Sequence, residues 1–432
     1  MKTRRDFLRS TLLGASATWT VPLFVENTFS QLHTEAKDLA VQAVTGKDAP
    51  IVVVVQLAGG NDGLNTLVPY ADDAYHVARP TLGKKEKDII RLSDYCGLSS
   101  SMPWLASQYK EGDLAIVQGV GYPNPNRSHF VSTSIWETAD TSQRSNTGWL
   151  GRYFDNACQG SDPTEGGISL SKTQPESFGA AKHPGICLSS PELYRWIHGS
   201  DSESAPELFA EINRPDDEPM EGGSIAQAAG GKVGGLSGES NLAFLERVAL
   251  DAQVSSAKIL EIAAKHKTKV PYDGTPLARS LNLVARMIAG QLPTRVFYVS
   301  HGGFDTHQNQ MGAQDRLLGQ LDSALKSFMA DLKEQGNADR VVVMTFSEFG
   351  RRVSENESGG TDHGQGSCLF TLGQGIKGGL YGKYPSLTDL SLGDLKFTTD
   401  FRSVYATVLE DWLKTSSKPI LKGSFDKLGF LG

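Results

Sequence analysis

Asp305 and His307 stand two residues apart in His301-Gly302-Gly303-Phe304-Asp305-Thr306-His307, directly behind an apolar run. On an extended backbone that spacing points both side chains the same way. A second group, Ser347-Glu348-Phe349-Gly350-Arg351, follows another apolar run, and Thr361-Asp362-His363-Gly364 lies in the loop beyond it. Asp62 sits in Gly59-Gly60-Asn61-Asp62-Gly63, and Arg127, Ser128 and His129 are consecutive. Carboxylates and imidazoles gathered in one place suit a divalent metal of borderline character. Zn, Mn or Fe are favoured, with Mg or Ca less so, and one or two ions are possible. Thiolate ligation is not indicated, because Cys96, Cys158, Cys187 and Cys368 are widely separated. They could form up to two disulfides or remain buried thiols.

Each group follows a segment that reads as a buried strand. Ile51 to Leu57, Leu114 to Gln118, Arg295 to Ser300 and Val341 to Phe346 are near-continuous runs of apolar β-formers, as in parallel sheets covered on both faces. Cys368 to Leu372 is a fifth candidate. Helices are expected at Met102–Lys110, Thr147–Ala157, Asn241–His266, from Thr275 to about Ala289, at Gln310–Glu334 and at Asp400–Leu413. Strand, helix, strand over 295–346 makes a right-handed parallel unit. In open α/β sheets the chemistry lies beyond the carboxyl ends of the strands, where all these residues fall.

The 432 residues carry a net charge of −7, which argues against nucleic acid as a main partner. Thr3-Arg4-Arg5-Asp6-Phe7-Leu8-Arg9 and the mild apolar stretch behind it match a twin-arginine export signal. The expectation is a protein of the periplasm or cell envelope that meets the twin-arginine machinery. It would touch the membrane only through that segment, if uncleaved. The division expected is a signal over 1–30, a linker over 31–48 and one domain over 49–432. A Gly-rich insertion falls near 214–240.

GGNDGLN, NRSHF, GGFDTHQNQ, SEFGRR and GTDHGQG, in that order over about residues 50–415, resemble the DUF1501 family. That family is assigned by similarity to the alkaline phosphatase and sulfatase superfamily. The resemblance implies a three-layer α/β/α sandwich with a mostly parallel central sheet. It also implies a metal-assisted attack on phosphorus or sulfur by a Ser or Thr at a helix N-terminus. Asp62 would bind one metal, Asp305 and His307 another, and Ser128 would be the nucleophile. Glu348 falls near the later Asp-His pair of the superfamily and His363 near its last histidine, while Asp362-His363 could itself be that pair. His129 would complete a set, and Arg127 or Arg351 would stabilise the anionic transition state. The superfamily usually spaces its Asp and His by three residues, whereas only Thr306 separates them here. The function implied is hydrolysis of phosphate or sulfate esters, small or polymeric. The alternative is a binding or envelope-assembly protein on the same fold. A carbohydrate hydrolase working through two carboxylates would leave the histidines without a part.

Overall fold

A computed structural model describes residues 49–157, 166–171, 173–181, 185–188, 259 and 261–432. The segments expected to form an export signal, a linker and a Gly-rich insertion, together with Cys158 and most of the helix expected at 241–266, lie outside the described residues.

The elements that position the site are β1 (Ile51–Ala58), α1 (Pro103–Glu111), β2 (Leu114–Gly121), α2 (His129–Thr138) and α3 (Trp149–Ala157). After these come β3 (Gly167–Leu170), β4 (Ile186–Cys187), α4 (Pro276–Ala289), β5 (Val296–Gly302) and α5 (Gln310–Gln335). The chain continues through β6 (Val341–Phe346), β7 (Ser367–Leu372), β8 (Gly379–Tyr381), β9 (Thr399–Asp400) and α6 (Phe401–Thr407). The strands form one sheet in the order β8-β2-β7-β6-β1-β5-β3-β4, with β9 also pairing with β2.

The strand β1 is central, and its alternation explains the layers. Ile51, Val53, Val55 and Leu57 pack with buried residues of α1, α4 and α5 in one core. Val52 and Val54 face the opposite way, into a second core with α2, α3 and α6. Period-two side chains that are apolar on both faces need cover on both faces. The result is the α/β/α sandwich expected from the sequence. Aromatic stacking closes the second core: Trp136 lies 4.4 Å from Phe401 and Trp149 lies 4.2 Å from Tyr405, ring centre to ring centre.

Parallel pairing sets β1 between β5 and β6, with Ala58 opposite Gly302 and Gln56 opposite Phe346. These three strands therefore leave the sheet along one edge, and β2 leaves along it too. β7 differs from the parallel expectation, pairing antiparallel with both β6 and β2. The predicted helix at 400–413 also differs. It ends as α6 and continues as a π-helical turn, Val408–Trp412. Cys96, Cys187 and Cys368 are free thiols. Among the described residues no helix is long and apolar enough to cross a membrane.

Candidate metal centre

Two devices draw the strand exits together. Gly59 adopts φ +117°, and a Cβ there would stand 2.4 Å from the backbone nitrogen of Asp305. Only glycine allows the exits of β1 and β5 to approach so closely. Arg351 is the second device, with 1% of its surface exposed. It donates to Gly60 O at 2.7 Å, Thr361 O at 2.8 Å, Phe304 O at 3.0 Å and Asp305 Oδ1 at 2.8 Å, and also to Gly59 O. One guanidinium thus ties the exits of β1 and β5 to the loop that carries Asp362 and His363.

Around Asp305 stand three imidazoles. His307 Nε2 and His363 Nε2 are each 3.1 Å from Asp305 Oδ1 and 2.9 Å from each other. His129 Nε2 is 3.5 Å from Asp305 Oδ2. His129, Asp305 and His363 each offer a ligand atom within 4.8 Å of the others. Phe349 lies against two of the rings, 4.8 Å from His129 and 4.6 Å from His363.

The other ring nitrogens decide what the cluster can do. His363 Nδ1 is 2.9 Å from the Arg127 carbonyl, which can only accept, so Nδ1 carries the proton. His307 Nδ1 donates to Asp362 at 3.2 Å and His129 Nδ1 to Glu348 at 2.8 Å. In the neutral tautomer each imidazole then presents a bare Nε2 lone pair to the Asp305 carboxylate. Lone pairs meeting at these distances repel unless something positive lies between them. Imidazoles whose Nδ1–H is fixed on a carboxylate or a carbonyl are typical of metal-bound histidines. A transition metal sits about 2.0–2.2 Å from such atoms, which puts the ligands of one ion about 3 Å apart. The donor set therefore fits a single borderline cation such as Zn, Mn or Fe.

The charges around the cluster favour the ionised form of Asp305, Asp362 and His129. Burial works against the Asp305 charge, but the hydrogen bond from Arg351 and its charge outweigh it, holding the pKa down to about 2. The hydrogen bond to Glu348 raises that of His129. For Asp362, burial is outweighed by hydrogen bonds from Asn356 and His307, and its pKa is lowered.

The remaining site residues of the sequence reading are placed as follows. Glu348 and Asp362 orient imidazoles; Glu348 is also held by the Gly59 N–H at 2.8 Å. Asp62 lies elsewhere. It is 1% exposed, caps Leu64 and Asn65 N–H groups, and pairs with Arg79 at 2.6 Å. Gln310 also donates to it, so no lone pair is left for the cluster. Arg127 is bound through Nε to the buried Asp394 at 2.9 Å. Arg351 spends its donors on the chain itself. Ser128 is exposed at the N-cap of α2, and its hydroxyl caps nothing.

Sequence reasoning missed Arg79, Asp394 and Phe349. Phe349 had a signal, lying between Glu348 and Gly350. Arg79 and Asp394 had none, because what marks them is burial against a distant partner.

Residues 227–415 match the DUF1501 family, described as proteins of unknown function. The matched stretch contains Asp305, His307, Glu348, Arg351, Asp362 and His363, while Asp62, Ser128 and His129 precede it. No curated protein is similar in sequence to the chain. Among solved structures, the chain is similar to the PsFucS1 sulfatase from Pseudoalteromonas sp., with 11% identity and a TM-score of 0.39, covering 92% of this chain and 74% of that one. It is also similar to the lipoteichoic acid synthase LtaP from Listeria monocytogenes, with 8% identity and a TM-score of 0.30, covering 77% and 70%. The phosphonate monoester hydrolase SpPMH from Silicibacter pomeroyi shows 11% identity and a TM-score of 0.28, covering 87% and 77%. These likenesses are loose. The α/β/α architecture stands on the strand order and the two cores.

Proposed function

We propose that the chain is an exported, metal-dependent hydrolase of phosphate or sulfate esters. The observation that carries the reading is the convergence of the Nε2 atoms of His129, His307 and His363 on Asp305, with each Nδ1 held by an acceptor. A cation bound there would supply Lewis acidity toward an ester oxygen. The chain supplies the rest. Arg351 and Phe349 hold the cluster in place, and Glu348, Asp362 and the Arg127 carbonyl fix the ring orientations. The first N–H groups of α2, which Ser128 leaves uncapped, are suited to the charge on the ester oxygens. Ser128, exposed and next to His129, is the candidate nucleophile.

Metal content by mass spectrometry on protein purified without chelators tests this, alongside Asp305→Ala and His363→Ala. The expected result is bound transition metal in the parent and loss in both variants. Turnover of aryl sulfates or phosphates should then vanish in Ser128→Ala while its metal remains. A parent with no metal after dialysis against Zn and Mn would sink the hydrolase reading.

A second reading has one observation in its favour. Arg127 and Arg351, the two cations expected to stabilise a transition state, are both committed to the chain's own groups. A binding or envelope-assembly protein that keeps a metal for structure would look the same there. Retained metal with no ester turnover on any substrate would favour it.

A further inference from the structure

Beside His129 a cleft of about 780 Å³ opens between α2 and the sheet. That volume suits a small organic molecule. Its wall is one face of α2, where His129, Thr133 and Glu137 recur at four-residue spacing with exposed Phe130 at the mouth. Its floor comes from the sheet. Gln56 and Ser300 are partners across β1 and β5, and Tyr298 lies two residues behind on the same face.

The chemistry of this lining is distinctive. Hydroxyl side chains outnumber every other kind, and the described lining residues include neither Lys nor Arg. Glu137 and Glu176 are there instead. Gln56, Thr133, Ser280 and Ser300 are half-buried, and their side chains make no hydrogen bond among the described residues. Half-buried polar groups that line a cleft are available to a ligand's hydroxyls. Phe130 is 89% exposed, an unusual state for a large apolar ring. It offers a flat surface for the C–H face of a ring. Glu137, 5% exposed, accepts from the Tyr298 hydroxyl at 2.8 Å and the Glu176 N–H. Burial raises its pKa to about 7, so near neutral pH its carboxyl can donate as well as accept.

We infer that this cleft binds the alcohol portion of the substrate, and that this portion is an uncharged, hydroxyl-rich ring, a sugar or cyclic polyol. The anionic ester end then lies at the His129 end of the cleft. The reaction rests on the hydrolase reading; the binding of the sugar does not.

Saturation-transfer NMR on the full chain tests it, using glucose, galactose, mannose, N-acetylglucosamine, lactose and maltose as probes, with and without EDTA. At least one of them should bind. Phe130→Ala, exposed and therefore harmless to folding, should weaken that binding by about tenfold through loss of ring contact. Thr133→Val, which keeps the shape and removes the hydroxyl, should weaken it by about fivefold. No binding by any of the six sugars, or binding indifferent to both substitutions, overturns the inference. Sugar binding in a chain that holds no metal would leave the cleft standing and sink the hydrolase. Turnover of sugar-free aryl esters without sugar binding would do the reverse.

Discussion

Asp62 and Asp305 follow neighbouring parallel strands through glycine-rich turns, and in sequence they are the same kind of residue. The fold gives them opposite surroundings. Asp62 is sealed at 1% exposure, caps a turn and pairs with Arg79. The side chain of Asp305 stays 47% exposed and faces three imidazoles. The difference is in what reaches each one. A guanidinium arriving from residue 79 satisfies the first carboxylate and closes it. Arg351 shares Oδ1 of the second with His307 and His363 and leaves Oδ2 facing His129. A carboxylate at a strand end becomes structural or chemical according to whether its neighbours fill its lone pairs or merely aim them.

The comparison breaks most visibly at Asp62. Asp62→Ala leaves Arg79 buried without its counter-charge, and stability should fall by about 3–5 kcal/mol. Denaturant unfolding of the two proteins measures it. A loss under about 1 kcal/mol would mean that Asp62 is not the structural member of the pair.

Glu137 sharpens the contrast, being buried like Asp62 but given a hydroxyl and backbone N–H groups in place of a cation. Its native pKa of about 7 lies above the usual value of 4.5. Between these values the unfolded chain has released the proton and the native chain keeps it. Stability therefore falls as pH rises through that window, by on the order of 3 kcal/mol in all. Unfolding midpoints from pH 4.5 to 8 should show that slope, and Glu137→Gln should flatten it. An unchanged slope in the variant would assign it to another group.

Removing the exposed Asp362 frees His307 to turn, and metal affinity should drop by about 10–100-fold in Asp362→Ala. Competition with a chromophoric chelator reads this directly, and unchanged affinity would take His307 out of the ligand set. The smallest effect is expected at Asp305 itself. With EDTA present, Asp305→Ala should cost about 1–2 kcal/mol, less than Asp62→Ala, since water reaches the half-exposed carboxylate and four backbone carbonyls still hold the buried Arg351. A loss as large as that at Asp62 would erase the distinction between the two.

How much of this was legible in the sequence differs by element. The runs at 51–57 and 341–346 announced the centre of the sheet, because strands buried on both faces leave no polar alternation to misread. The cluster was legible as recurrence, with Asp305, His307 and His363 each falling behind or beyond a strand. The fate of Asp62 was not, since its partner lies 17 residues away in a segment without periodicity. The direction of β7 was hidden for a similar reason. A short apolar run reads the same up or down a sheet, and only pairing with β2 and β6 decides it. Glu137 carried no signal, because its burial comes from Tyr298 and the 176 turn, both distant in sequence.

That reversed strand has a further consequence. Because β7 runs against β6 and pairs with it, the segment from Ser347 to Gly366 starts and finishes on the same edge of the sheet. It never has to cross a face, as the connection between two parallel strands must. It is an insert pinned at its base by two neighbouring strands, tied to the exits of β1 and β5 by Arg351 and folded back on itself through the Arg351–His363 bridge. Glu348, Asp362 and His363 all ride on it. Evolution could rewrite those three residues, and with them the donor set of the cluster, without rethreading a single strand of the scaffold.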